Sequence, residues 1–396
     1  MQIMTKMTTG AMFVLENNPK QVVLIAPPNS RRVNAFQQAL QDIDWPIAKI
    51  ISFHDIVKHP NLLIDCIQQG DIVRLETSGE CSNTERLLLQ LGESVVANNL
   101  VIDNLQLEQG EIIPSNQWYV GLSLFFRHLQ QILQQAQPHY RMFDVNEGLV
   151  FFDKRKTSIH WQQQGLPTPE IITNHIESFE QLIDTLTKQK ISRVFIKLAH
   201  GSAASGTMAL SVTDKKIYAV TTIELLQQAE QIHFYNTRRL KQYTDRQTIA
   251  MMFNQLLKHH DLQIEAWIPK ASYQGKIFDI RIVVINGQAQ HTLIRLGKRA
   301  MTNLHLENGR GDLEQVKTYL GDHWAAIPKL AEQAMLAFPN SLYAGLDVLV
   351  TPHQHKAYLL EANTFGDFHP NTYWQGLNTY QAELLALLKR NKLIDD

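Results

Sequence analysis

Cysteine is almost missing from this chain: Cys66 and Cys81 are the only two in 396 residues. That excludes a disulfide scaffold and a four-cysteine zinc site, and a reducing compartment, the cytoplasm, is expected. An excess of charge of either sign is missing too. Lys and Arg number 37 and Asp and Glu 38, for a formal net charge of -1. A basic nucleic-acid coat and an acidic solvating tail are both excluded by that balance. No stretch reaches the ~18 apolar residues of a membrane helix, and no internal repeat or low-complexity tract is visible. What the chain does have is 44% hydrophobic and 19% charged residues. Such a composition belongs to a globular protein that buries real cores, and the length implies two or three domains.

Residues 1–19 read as a loose leader without a basic–apolar–small signal pattern. Gln21–Ala26 (QVVLIA), Ala48–Phe53 and Asp71–Glu76 read as short strands alternating with helical stretches. A small, mostly parallel α/β domain over 20–110 follows from that alternation. The Gln-rich stretch Gln117–Gln135, with Leu122, Leu124, Phe125, Leu129 and Leu133 as its apolar set, reads as a helix within a bridge over 111–148. Further on, strands are expected at Arg193–Leu198, Gln263–Ile268, Asp279–Ile285, Gln288–Leu293, Tyr343–Val350 and Ala357–Ala362. The basic run Asn236–Arg246 reads as a solvated helix face.

Chemistry-bearing residues come in an ordered series. Lys154 enters a helix that ends near Gly165-Leu166-Pro167. Lys197 closes an apolar strand, where an unpaired ammonium would be costly, so it needs a partner. The loop after it, Gly201-Ser202-Ala203-Ala204-Ser205-Gly206, is built of small residues whose backbone N–H groups can close on phosphate oxygens. It is not a P-loop, because Thr207 stands where a lysine should follow. Gln263–Ile268, which carries Glu265 and Ile268, reads as an apolar strand whose exposed backbone could hydrogen-bond a purine edge. Arg281, two residues after Asp279, and Arg295 beyond the Asn286-Gly287 turn could form a clamp for an anionic substrate. Thr302–Gly311 is a polar, Gly-rich loop suited to a lid. Asp347 interrupts one apolar strand, while Glu361 and Asn363 share a face of the next, because strand periodicity is two. Three oxygen donors on a hairpin fit a hard divalent cation such as Mg²⁺ or Mn²⁺.

In order and approximate spacing, Lys154, Lys197 with its loop, the Glu265–Ile268 strand, Asp347 and Glu361-x-Asn363 resemble ATP-grasp ligases. Asp279, Arg281, Arg295 and Thr302–His305 look most like the RimK-like and glutathione-synthetase-like branch, and DKRKTSIHWQQQGLP around Lys154 also resembles D-alanine–D-alanine ligases. Two features depart from those patterns. The Glu-x-Asn ending runs on into Thr364–Asn371, where Asp367 and His369 are candidates for an acceptor pocket, instead of a Ser-Pro-Gly turn. Gly345 stands where D-alanine ligases carry an arginine.

The resemblance implies a pre-ATP-grasp α/β domain followed by a two-lobed ATP-grasp fold, with its small lobe over 149–270 and its large lobe over 271–396. It implies that Lys154 and Lys197 contact ATP phosphates and that the Gly201–Gly206 loop closes over them. Glu265 and Ile268 would meet adenine, Asp279 the ribose, and Asp347, Glu361 and Asn363 the Mg²⁺. Arg281 and Arg295 would steady an acyl phosphate. The implied activity is ATP- and Mg²⁺-dependent ligation of a carboxylate to an amine, with small molecules or a peptide as substrates and neither nucleic acid nor membrane as partner; a homodimer is compatible with it. A phosphotransferase and a non-catalytic nucleotide-binding protein are the alternatives. Three further features read differently. His259-His260 and His353-x-His355 are expected at solvent, Arg31-Arg32 at the surface, and Arg74-Leu75-Glu76, with Glu80 and Glu85, at an interdomain cleft.

Overall fold

The computed structural model describes residues 20–394 apart from 80, 97–100, 103–107, 109, 174, 214, 229–230, 366–368 and 370. The leader, Glu80 and Asp367 therefore lie outside the described residues. Three sheets organise the rest. The first is parallel, in the order β2-β1-β3-β4, from β1 (Val22–Ile25), β2 (Lys49–Ile51), β3 (Ile72–Leu75) and β4 (Tyr140–Arg141). Its central strand is buried on both faces, as parallel strands usually are. Val23 and Ile25 pack toward the helix Ser115–Gln135, and Val22 and Leu24 toward Phe36 and the C-terminal helix Thr379–Arg390.

That long helix presents Trp118, Leu122, Phe125, Leu129 and Ile132 along one buried stripe. It touches the helix Ser82–Glu93 backbone to backbone. A Cβ on Gly121 would sit 1.7 Å from the Leu88 carbonyl oxygen, and one on Gly92 2.1 Å from that of Gln117. Only glycine permits so close a crossing.

The second sheet is antiparallel, ordered β5-β10-β6-β7-β8-β9: β5 (Ile171–Thr173), β6 (Arg193–Leu198), β7 (Met208–Val212), β8 (Ile217–Gln228), β9 (Gln231–Tyr243) and β10 (Leu262–Ala266). The run expected as a solvated helix face is in fact strand through Tyr243, and a helix begins only at Arg246. The ladder to β8 supplies the backbone partners, so the apolar alternation that would have betrayed a strand is weak there. The third sheet is also antiparallel, ordered β14-β13-β12-β15-β16 with β11 beside β12. It comprises β11 (Ser272–Tyr273), β12 (Lys276–Ile285), β13 (Gln288–Gly297), β14 (Gly309–Gly311), β15 (Tyr343–Val350) and β16 (Ala357–Asn363).

Two further expectations are overturned. Arg74 and Glu76 do not line a cleft; both are fully buried. Val73 and Leu75 pack on the long helix, so the pleat sends Arg74 to the opposite face. There it pairs with Glu383, and its guanidinium lies 4.7 Å from the Phe36 ring centre and 4.8 Å from that of Tyr380. His260 is buried as well, not at solvent. Its Nδ1 accepts the backbone N–H of Ser115 at 3.2 Å, which puts the proton of the neutral ring on Nε2.

Burial, together with the charges of His259 and His200, pushes His260 down to about 3. The unfolded chain takes up this proton near pH 6.5 and the folded chain does not, so its stabilising contribution is complete above that pH and is lost between 6.5 and about 3. Urea unfolding across this window should therefore lose about 1.4 kcal/mol of stability per pH unit for one proton. His260→Gln should flatten the slope; an unchanged slope in the variant would disprove the assignment.

Candidate active site

Pleating decides which side chains of the second and third sheets face each other. In β6, Val194, Ile196 and Leu198 enter the core, so Phe195 and Lys197 turn to the opposite face. Leu262 and Ile264 of β10 do the same and turn Gln263 and Glu265, both buried, to the other face. The partner that Lys197 requires is Glu265, whose other oxygen accepts from Gln263 Nε2 at 2.7 Å. In β15, Ala344, Leu346, Val348 and Val350 fill the core behind the sheet, and Asp347 and Leu349 face forward. Register sets Asp347 opposite Arg281 on β12 and opposite Glu361 on β16. A register shift beside Asp347 lets both Leu360 and Glu361 line the same space.

Between the two faces lies a cleft whose empty space, including the part open to solvent, is about 720 Å³. On one side are Lys154, Lys197, Gly201, Ser205, Glu265 and Ile268; on the other are Asp279, Arg295, Asp347 and Glu361. The chain from Ala300 to Asn303 walls one end. Ten of the residues singled out in the sequence thus meet in one cavity. Ser202, Ala203 and Gly206 belong to the loop beside it, and Arg281 stands behind Asp347. Asn363, opposite Gly345 in the ladder, turns its amide to the Gly345 carbonyl at 3.4 Å.

The small-residue loop has a specific shape. Ala203, Ala204 and Gly206 have φ of 51°, 60° and 63°, in the left-handed region that bulky side chains avoid. A Cβ on Gly206 would lie 2.8 Å from Leu198 Cδ1. Thr222 holds the turn: its hydroxyl donates to the Ala204 carbonyl at 2.8 Å and accepts from the Thr207 N–H at 3.1 Å.

Lys154 opens the helix Lys154–Gln163, capped by Asp153, whose carboxylate accepts from the N–H groups of Arg155 and Lys156. Burial works to raise the Asp153 carboxyl, but hydrogen bonds from His200 and from the Lys156 backbone outweigh it and bring it to about 2. Lys154 Nζ donates to the Gly201 carbonyl at 2.5 Å and lies 3.5 Å from Glu361. Burial would also raise Glu361; the charges of Lys154, Lys197 and Arg281 hold it well below the usual carboxylate range.

On the far wall the charges interlock. Asp347 accepts from Arg281 and, at 2.8 Å, from Arg295 Nη2. Arg295 Nε reaches Asp279 at 2.7 Å, and Asp279 also takes Lys270 at 2.7 Å and the Thr302 hydroxyl. Lys270 was not singled out in the sequence, although it resembles Lys197 in following an apolar strand. Burial pulls its ammonium below the ordinary lysine range despite Asp279. Ala204 of the small-residue loop and Thr207 just after it also line the cleft, as do Phe195 and Met301, which carried no motif.

For a metal, Asp347, Glu361 and Asn363 provide oxygen donors only. Among the described residues no group of three His, Cys, Asp or Glu side chains converges as a metal site. Such a set suits a hard cation that takes its remaining ligands from outside the protein. Toward a planar ring, Ile268 is the available edge. The N–H of Ala266 is taken by the Glu170 carbonyl and that of Trp267 by Arg193, while the Ile268 backbone makes no hydrogen bond among the described residues.

Two facing antiparallel sheets, with lysines and a small-residue loop on one wall and a carboxylate pair on the other, define the ATP-grasp architecture. The sequence model of the YheC/D-like ATP-grasp family matches residues 143–374, and the chain belongs to that family. The resemblance read from the motifs is thereby borne out for the superfamily, while the RimK-like and glutathione-synthetase-like branch remains a likeness of motifs. Among solved structures, D-cycloserine synthetase DcsG is similar in fold at 9% identity, with a TM-score of 0.51 over 94% of this chain and 99% of that one. The ATP-grasp ligase PsnB, complexed with minimal precursor, Mg and ADP, is 13% identical, with a TM-score of 0.50 over 95% of this chain and 100% of that one. No curated protein matches the sequence.

Removing a carboxylate from the far wall should be severe, because it leaves cations buried without their counter-charge. Asp279→Ala should lower the unfolding free energy by about 3–5 kcal/mol. Asp279→Asn, which keeps an oxygen toward Arg295, should lose less. Urea denaturation of both variants tests this; equal small losses would contradict the network.

Proposed function

We propose that this protein is an ATP- and Mg²⁺-dependent ligase that joins a carboxylate to an amine through an acyl phosphate. The observation that carries the reading is the opposition across one cleft of Lys154, Lys197 and the Gly201–Gly206 loop to Asp347 and Glu361, with Arg295 beside them and Arg281 behind Asp347. PsnB, which shares the fold, is complexed with Mg and ADP, and this supports the same nucleotide and cation here. The oxygen-only set Asp347, Glu361 and Asn363 fits Mg²⁺, which when bound supplies positive charge for the phosphate oxygens.

On this reading the residues work by positioning and charge compensation. Ile268 presents its backbone to the adenine edge. Lys154 and Lys197 leave Glu361 and Glu265 to meet phosphate oxygens, and the loop N–H groups close over them. The substrate carboxylate attacks the γ-phosphorus, the bond to the ADP oxygen breaks, and an acyl phosphate forms. Arg295, with Arg281 beside it, neutralises the carboxylate and phosphoryl oxygens as charge shifts between them. The amine then adds to the acyl carbon, phosphate leaves, and a proton is lost from nitrogen. The Ala300–Asn303 wall limits the access of water that would hydrolyse the intermediate. Among the described residues no helix is long and apolar enough to cross a membrane.

Losing one preorganised charge contact should cost about 10²–10³ in rate. Lys197→Ala and Glu361→Gln are therefore each expected to cut ADP release by that factor, read in a coupled assay over a panel of amino acids, peptides and carboxylates. Hydroxylamine should trap a hydroxamate with the stimulating carboxylate. A stable phosphorylated product without hydroxamate would make the protein a phosphotransferase, and full activity in both variants would refute the site.

A further inference from the structure

The ladder between β8 and β9 is interrupted beside the cleft. Ile223 pairs with Asn236 and Thr221 with Lys241, so residues 237–240 bulge out of the strand. Thr237 shapes the bulge, its hydroxyl oxygen accepting the Arg239 N–H at 3.1 Å. Bulges next to active sites commonly re-aim side chains. Here Leu240 packs into the small cluster of Met301 and Leu306, while Arg238 and Arg239 are exposed. Arg239 lies 3.5 Å from Glu307. With the Gln242 amide oxygen turned toward it, Arg299 donates to Gln242 at 2.6 Å. Lys298, Arg299 and Arg310 are exposed as well, and Arg310 stands opposite Arg295 in the β13–β14 ladder. Five cations (Arg238, Arg239, Lys298, Arg299 and Arg310) thus gather from two lobes around the Ala300–Asn303 wall, with Glu307 among them. The chain as a whole carries a net charge of -1, so this rim is a local segregation.

We infer that the rim docks an acidic peptide segment and delivers its reacting end to the cleft. The inference rests on the ligase reading for what happens there, and on the rim alone for binding. Four of the five cations are arginines, whose planar forks match carboxylates. Exposed ion pairs are individually weak, so one carboxylate would not be retained, whereas several on one chain would. Neither 237–240 nor 298–310 contains a Phe, Tyr or Trp on which a nucleobase could stack, which disfavours single-stranded nucleic acid.

Fluorescence anisotropy of labelled hexaglutamate with the intact protein, without nucleotide, tests the rim directly. Binding should weaken at least tenfold in R238E/R239E and in K298E/R299E, and threefold or more in the milder R238Q/R239Q. It should also weaken with added salt, and hexalysine should not bind. Basal ADP release should be the same in R238Q/R239Q as in wild type. Absence of hexaglutamate binding, binding unaffected by all three double variants, or tighter binding of a hexauridylate would overturn the inference. Hexaglutamate binding with no ADP release on any substrate would instead refute the ligase reading and leave the rim standing.

Discussion

Everything at this site depends on compensating charge that the fold has taken out of water. Asp279 and Asp347 are buried at the front of the third sheet, where burial by itself would leave two costly unpaired carboxylates. Lys270, Arg281 and Arg295 prevent it, and Thr302 supplies a further donor to Asp279. Lys197 and Glu265 solve the same problem on the facing sheet. The cleft is therefore lined with ions already paired to each other. On the proposed function, a polyphosphate and a cation would enter such a site by exchanging partners, lysines turning to phosphate and carboxylates to metal. No charge then has to be left bare in low dielectric, which is why both signs are present on opposing walls.

One sheet face serves two purposes. On β12, Asp279 lines the cleft and Arg281 backs Asp347, while Val283 and Ile285, two and four residues beyond Arg281 on the same face, pack against the N-terminal sheet and the helix Thr379–Arg390. Tyr343 and Asp347 divide β15 in the same way. The geometry of the cleft is consequently tied to the seating of the N-terminal domain through continuous strands. Arg74 and Glu383 reinforce that seating from the other side of the junction.

Much of this was legible in the chain. The strands Arg193–Leu198 and Tyr343–Val350 begin and end where their apolar runs do, because each has one face in a core that admits no polar residue. The polar exceptions in those runs, Lys197 and Asp347, were conspicuous for that reason. Strand β8 and the edge strand β9 were not legible, since their polar outer face carries no alternation and their pairing is satisfied by backbone. Arg74 and His260 misled for the opposite reason. A charged or titratable residue looks like a surface or site residue until its partners are known, and those partners, Glu383 and Ser115, lie far along the chain.

By itself the sequence determined the order of strands and helices, the phase of each strand, and hence which residues could face a common space. It also determined that the loop from Gly201 to Gly206 could take a backbone course closed to larger side chains. Only the tertiary structure decided which carboxylate meets which cation. It joined Lys270 to Asp279, turned Glu265 toward Lys197, buried Arg74 beneath the C-terminal helix, and gathered arginines from β9 and from the chain after β13 into one rim. The physical reason is that local preferences act over a few residues, whereas the pairing of buried charges is set by the low dielectric between elements that meet only when the sheets have packed.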